Sequence, residues 1–155
     1  MKAADKSAVI RLLKNTPEFL PREVDLAEEV IDDYLSCSEK SGYFIWVIEL
    51  NGDLAGYSVY GRAPITDDAW EIYWLAVDCS VQGRGIGQEL LEFTEQQIWR
   101  SDGAIIVVET SSRAEYDRTN RFYAKAGYTA CGRIKDFYMF GDDRITYQKR
   151  RNTPK

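Results

Sequence analysis

Residues 70–94, WEIYWLAVDCSVQGRGIGQELLEFT, leave few folds open to this chain. Trp70–Val77 is apolar except for Glu71, the pattern of a strand buried on both faces. From Gly85 to Arg100, Ile86, Leu90, Leu91, Thr94 and Ile98 recur at helical spacing. Between strand and helix stand Gly83, Gly85 and Gly87. A buried strand joined by a short connection to an amphipathic helix belongs to a mixed α/β domain. The first N–H groups of a helix have no internal partner, and the helix dipole makes that end positive. Glycines there let a phosphate approach bare backbone, so the segment is expected to hold an anionic ligand.

The rest of the chain reads as one domain, residues 1–155, without repeats or long linkers. Residues 4–15 are expected to form a short helix, broken by Pro17 and Pro21. Residues 23–37 form a second, with Val24, Ala27, Val30, Ile31 and Leu35 on one face. Strands are expected at 43–50 and 54–61, joined by the turn Asn51-Gly52-Asp53. Residues 104–109 are a buried strand, and a further helix starts between Ser112 and Asp117, where Ser112 and Glu115 match a capping box. That helix ends at Gly127. Strands 128–135 and 144–149 follow, with residues 150–155 as a loose tail.

Composition excludes several chemistries. Histidine is absent, which removes a histidine base, a Ser-His-Asp triad and the usual zinc and non-heme iron sites, so no metal is expected. The net charge of −5 argues against nucleic acid as a partner. No apolar run is long enough to span a membrane, and the N-terminus lacks an apolar signal core. Cys37, Cys79 and Cys131 form no C-x-x-C pair, which fits reduced thiols and a cytoplasmic location.

Three phosphate-binding schemes can be compared with the turn. A P-loop needs G-x-x-x-x-G-K-[ST], and the lysine and hydroxyl are missing. A dinucleotide fingerprint needs G-x-G-x-x-G directly after a strand, with an acid about 20 residues on. Glu109 imitates that acid, but Gln88 takes the place of the third glycine and Asp78–Gln82 separate strand from turn. The better match is Q-x-x-G-x-G at Gln82, Gly85 and Gly87. This segment resembles motif A of the GNAT N-acetyltransferases, which bind acetyl-CoA. Residues 121–128, RFYAKAGY, resemble the same family's last-helix motif with its tyrosine, and the likeness runs from Tyr43 to Lys149.

The resemblance implies an α/β (α+β) fold. Its mixed, mostly antiparallel central sheet is splayed between two parallel strands, with helices on both faces. The family's usual first strand is hard to find, so it is expected to be short or missing. By the same resemblance, Gln82, Gly83, Arg84, Gly85, Ile86 and Gly87 would wrap the CoA pyrophosphate with backbone N–H groups. Leu75, Ala76 and Val77 would pair with the pantetheine arm like an extra strand, and the Leu75 N–H would face the developing oxyanion. One departure stands out: many members carry asparagine seven residues before the tyrosine, where this chain has Tyr116.

Moving an acetyl group to an amine requires a proton acceptor, because alkyl amines have a pKa near 10. Glu71 is the first candidate, as the single charged residue of its strand, where some protein-acetylating members carry their base. Regular alternation would put Glu71 and Leu75 on one face, about 13 Å apart at about 3.3 Å per residue, so a water would link Glu71 to the amine. Glu109 is the rival base, with a strand-end structural role as its plainer explanation. Tyr123 is the candidate acid for the CoA thiolate. Trp46, Tyr57, Tyr60, Trp70, Tyr73 and Trp74 could line an acceptor pocket or simply pack the core. The segment Asp136–Asp143 could be a cation-recognising loop or a polar turn.

The expected activity is acetyl-CoA-dependent N-acetyl transfer, by direct attack in a ternary complex, to a primary amine on a small molecule or protein. The alternatives are an acyltransferase using another acyl-CoA and a non-catalytic acyl-CoA-binding or regulatory domain. An exposed closing strand could pair across a homodimer.

Overall fold

A computed structural model describes residues 1–151. Two helices come first, α1 (Lys6–Lys14) and α2 (Pro21–Cys37), followed by strands β1 (Tyr43–Leu50), β2 (Asp53–Arg62) and β3 (Ala69–Val77). Then come α3 (Ile86–Arg100), β4 (Ile105–Ser111), α4 (Asp117–Lys125), β5 (Thr129–Met139) and β6 (Asp142–Arg150). The six strands form one sheet in the order β1-β2-β3-β4-β6-β5. Only β3 and β4 pair in parallel. A dinucleotide fold needs a parallel sheet, so that reading of the glycine turn is set aside. No strand precedes Tyr43 among the described residues, although the Met1 ammonium donates to the Ile45 carbonyl at 3.2 Å.

Each sheet face carries a pair of helices. On one, Val9, Leu12 and Leu13 of α1 and Val24, Ala27 and Ile31 of α2 pack on Ile45, Tyr57, Val59 and Ala76. On the other, Leu91 and Ile98 of α3 and Tyr123 of α4 pack on Tyr60, Trp70, Ile72, Ile106 and Val108. Four local expectations shift. α2 starts at Pro21, where a missing N–H costs nothing, and Glu23 accepts from the Leu20 N–H at 2.7 Å. Ser112 caps no helix: its hydroxyl accepts from the Asp143 N–H at 2.8 Å, and α4 begins at Asp117 after a short turn of 3-10 helix. β4 runs on to Ser111, paired with β6. Arg150 closes β6 and the Arg151 N–H bonds Ala104 O at 2.9 Å, so the expected tail is ordered there; residues 152–155 lie outside the described residues.

The segment Asp136–Asp143 is the end of a hairpin, with Gly141 at its turn. Asp142 and Asp143 are buried. Asp142 accepts from Ser111 Oγ and pairs with Arg113 Nε at 3.3 Å. Asp143 accepts from the Asp136 N–H at 2.9 Å and from Arg133 Nε at 2.5 Å. Those bonds hold the Asp143 carboxyl below its usual range, the backbone donor first and Arg133 next. The third carboxylate, Asp136, accepts from the Gly141 N–H at 2.6 Å. These bonds tie the three acids into the hairpin, and Tyr138 and Asp142 from it line a cavity beside β3 and β4.

Leu91 is 0% exposed and Leu26 51%. Leu91→Ala is expected to lower unfolding free energy by about 2–5 kcal/mol, and Leu26→Ala to change it by less than about 0.5 kcal/mol. Chemical denaturation of both variants checks the pair.

Candidate active site

β3 and β4 are hydrogen-bonded at four positions, from Ala69 opposite Ile105 to Ile72 opposite Val108. Past Ile72, β3 continues against β2 alone, to Val77 opposite Gly56, while β4 continues against β6 to Ser111. A bulge marks the parting point. Val59 faces Trp74 and Tyr60 faces Ile72, which leaves Tyr73 as an extra residue on β3. A bulge bends its strand and increases the local twist, and here it coincides with the opening of the sheet.

The bulge also reverses the alternation of side chains. Glu71 opposes Gly61 and Trp74 opposes Val59, so both face α1 and α2 with Ala76. Leu75 opposes Ser58 and packs with the α3–α4 core. The expectation that Glu71 and Leu75 share a face is therefore corrected: the extra residue flips the parity. Glu71 stands opposite Val107, and Glu109, two residues on, shares its face.

Three connected spaces follow from the splay. A groove is lined by Leu75, Val77, Gln82, Gly83, Gly85, Gly87, Arg118 and Tyr123. It meets a narrower junction, lined by Ile72 to Val77, Val108, Glu109, Thr110, Tyr116 and Tyr123. Beyond the junction lies a cavity of about 360 Å³, walled by Phe19, Leu20, Leu26, Tyr73, Trp74, Tyr116 and Tyr138, with Glu71 and Glu109 among its polar groups. Of the six aromatics considered from sequence, only Tyr73 and Trp74 line it. Tyr57, Tyr60 and Trp70 are core residues, and Trp46 donates to Tyr60 Oη at 3.0 Å.

The groove ends at the glycine turn, where α3 starts. Gly83 and Gly85 have φ of +79° and +85°, where other residues are strained, and a Cβ on either would meet open space. Gly85 caps α3 without any side chain bonded to the first turn. Gly87 lines the same groove, with Arg84 exposed and Ile86 buried in the α3 start. Gln82 fixes the turn: its Nε2 donates to the Val77 carbonyl at 3.0 Å and its Oε1 accepts from Arg118 Nη1 at 2.6 Å. Strand end, turn and α4 are thereby tied together. Arg118 has no counterpart in the sequence reading, because the contact spans 36 residues and no local pattern announces it. These donors and the unpaired edge of β3 from Tyr73 to Val77 fit a cofactor with a phosphate end and an amide-bearing arm.

Electrostatics divide the candidate acids and bases. Burial pushes the Glu109 carboxyl up; Arg144, paired at 3.2 Å, pulls it down, and Glu71 adds a smaller upward push. Burial and the neighbouring Glu71 push the Tyr73 phenol up to about 12. Tyr123 is 4% exposed and its phenol is pushed far up by burial alone, so it stays protonated at any working pH. Tyr116, where an asparagine was expected, is buried in the junction beneath the Arg113 guanidinium, 5.3 Å from the ring. From α4, Asn120 donates to the Ser111 carbonyl at 3.1 Å. Among the described residues no cluster of acids and cysteines is placed to hold a metal ion, and no helix is long and apolar enough to cross a membrane.

The comparisons with known proteins agree with this geometry. The acetyltransferase (GNAT) domain model matches residues 41–130. The chain therefore belongs to the GNAT family of acetyltransferases. A GNAT-family structure from Desulfovibrio desulfuricans is 34% identical, with a TM-score of 0.92 over 96% of this chain and 93% of the other. An aminoglycoside 6′-N-acetyltransferase complexed with coenzyme A shares the fold at 18% identity and TM-score 0.77, over 99% and 95% of the two chains. The ribosomal-protein-S18-alanine N-acetyltransferase from Escherichia coli does so at 17% identity and TM-score 0.78, over 100% and 93%. None of the curated proteins matches.

The balance at Glu109 can be read by carbon-detected NMR titration. Its carboxyl is expected to titrate above the ordinary value of about 4.3. Glu71→Gln should lower that pKa and Arg144→Ala raise it, since the first removes a like charge and the second an opposite one.

Proposed function

We propose that this protein is an N-acetyltransferase that moves an acetyl group from acetyl-CoA to a primary amine by direct attack in a ternary complex. The observation that carries this reading is the path of adjoining spaces from the glycine turn, along the unpaired edge of β3, to a cavity whose lining includes Glu71 and Glu109. Acetyl-CoA supplies the activated acetyl thioester. Gln82, Gly83, Arg84, Gly85, Ile86 and Gly87 hold its pyrophosphate through backbone N–H groups at the positive end of α3. Leu75, Ala76 and Val77 bond the pantetheine arm along the free strand edge, and the Leu75 N–H faces the developing oxyanion.

Glu71 and Glu109 take the proton from the amine as a pair. Glu109 reaches both junction and cavity, and Glu71 lies behind it in the cavity. A carboxyl held above its normal range is a better match to an amine than an unperturbed one. Tyr123, kept neutral by burial, donates a hydrogen bond to the departing thiolate. The acceptor is a small-molecule or protein amine; the three free, exposed cysteines fit a cytoplasmic setting, and the exposed edge strand β5 fits a homodimer.

Calorimetry with acetyl-CoA, alongside thiol release with a panel of amines, tests the proposal. Binding with turnover is the expected result. Glu109→Gln and Tyr123→Phe should each lower kcat/KM by about 10²-fold or more while acetyl-CoA still binds. The wild-type kcat/KM should rise with pH through an acid limb above the ordinary carboxylate range, and Glu109→Gln should remove that limb. Binding without turnover on any amine would favour a non-catalytic acyl-CoA-binding domain. Faster turnover of a longer acyl-CoA would favour another acyl donor.

A further inference from the structure

Residues 15–20 join α1 to α2 and are fixed from several directions. Thr16 Oγ1 donates to the Leu12 carbonyl at 2.9 Å, and the Phe19 N–H donates to the Thr16 carbonyl at 3.2 Å. Arg113 Nη2, from beyond β4, donates to the backbone carbonyl of Glu18 at 3.2 Å. The Leu20 N–H is taken by the Glu23 carboxylate at 2.7 Å. Glu18 thus projects from a pinned backbone. Its Oε2 is buried and has no hydrogen-bond partner. A buried carboxylate oxygen left unpaired is costly, and native proteins rarely keep one without a use.

The place of Glu18 narrows that use. It lines both the groove and the junction, beside Leu75, Val77, Gln82, Thr119 and Tyr123. It does not line the cavity that holds Glu71 and Glu109. An ammonium arriving through that cavity meets the carboxylates of its lining first, Glu71 and Glu109 among them. A phosphate is repelled by a carboxylate and belongs at the glycine turn. What remains for the middle of the groove is an uncharged donor.

We infer that Glu18 accepts a hydrogen bond from an amide N–H of the pantetheine arm, and so sets the position of the thioester. The inference rests on the acetyl-CoA reading above. The β3 edge at Leu75–Val77 serves one side of the arm, and Glu18, from a different element, serves another. A charge-assisted bond of this kind orients the ligand as well as adding affinity. It also means that the cofactor removes a polar defect of the free protein.

Calorimetry on wild type, Glu18→Ala and Glu18→Gln, with acetyl-CoA and with 3′-phospho-ADP as a probe lacking the arm, tests this. Glu18→Ala is expected to weaken acetyl-CoA about 10-fold and to leave 3′-phospho-ADP unchanged. Glu18→Gln should stay within about 3-fold of wild type, because its amide oxygen accepts the same bond. The melting temperature of ligand-free Glu18→Ala should equal or exceed that of wild type, since nothing is lost when an unpaired acceptor is removed. Unchanged acetyl-CoA binding in Glu18→Ala overturns the inference, as does an equal loss for both ligands. Intact binding with lost turnover in Glu18→Gln also overturns it, because that is the behaviour of a proton acceptor. Failure of wild type to bind acetyl-CoA overturns the cofactor assignment and this inference together.

Discussion

β3 and β4 hold each other through Ile72 and Val108 and then part, and every space in the site exists because they part. Had the parallel pairing continued, β4 would have consumed the edge of β3 from Tyr73 to Val77, and neither groove nor junction would remain. The bulge at Tyr73 sits where the pairing stops. β3 keeps its bonds to β2 on one side, so the free edge on the other is held rigid by the sheet. β4 leans on β6 in the same way. An opening between two supported strands stays open at little cost, which suits a site that takes in an extended arm.

The splay would carry little chemistry without the groups anchored across it. Gln82 ties the glycine turn to the end of β3 and, through Arg118, to α4. Tyr123 hangs from α4 into the same groove, in contact with Tyr128 and Tyr147. The carboxylate-rich end is set by β3 and β4 themselves, since parallel register puts Glu71 and Glu109 on one face. Positive charge is kept close but occupied: Arg113 serves Asp142 and the Glu18 carbonyl, and Arg144 serves Glu109.

Much of this was legible in the sequence wherever the signal is local. An apolar run marked β3, helical spacing marked α2 and α3, and glycines between strand and helix marked the turn at the start of α3. The Q-x-x-G-x-G and RFYAKAGY motifs carried the family and, through it, the antiparallel sheet with one parallel pair. The face of Leu75 was not legible, because one extra residue reverses alternation and leaves no mark in composition. The β5–β6 turn read as either a cation-recognising loop or a polar turn, because Asp142 and Asp143 look like solvent residues until Ser111, Arg113 and Arg133 arrive from elsewhere. Arg118 was missed for the same reason: its partner, Gln82, lies far along the chain.

The central claim is that the parted edge of β3 and the glycine turn bind one extended cofactor. Backbone amide shifts, mapped by proton–nitrogen NMR during titration with coenzyme A, test it most directly. The account predicts that Leu75 to Val77 and Gln82 to Gly87 shift together along one saturable curve, while the outer strand β5 stays still. Shifts confined to the turn, or centred away from both segments, would contradict it.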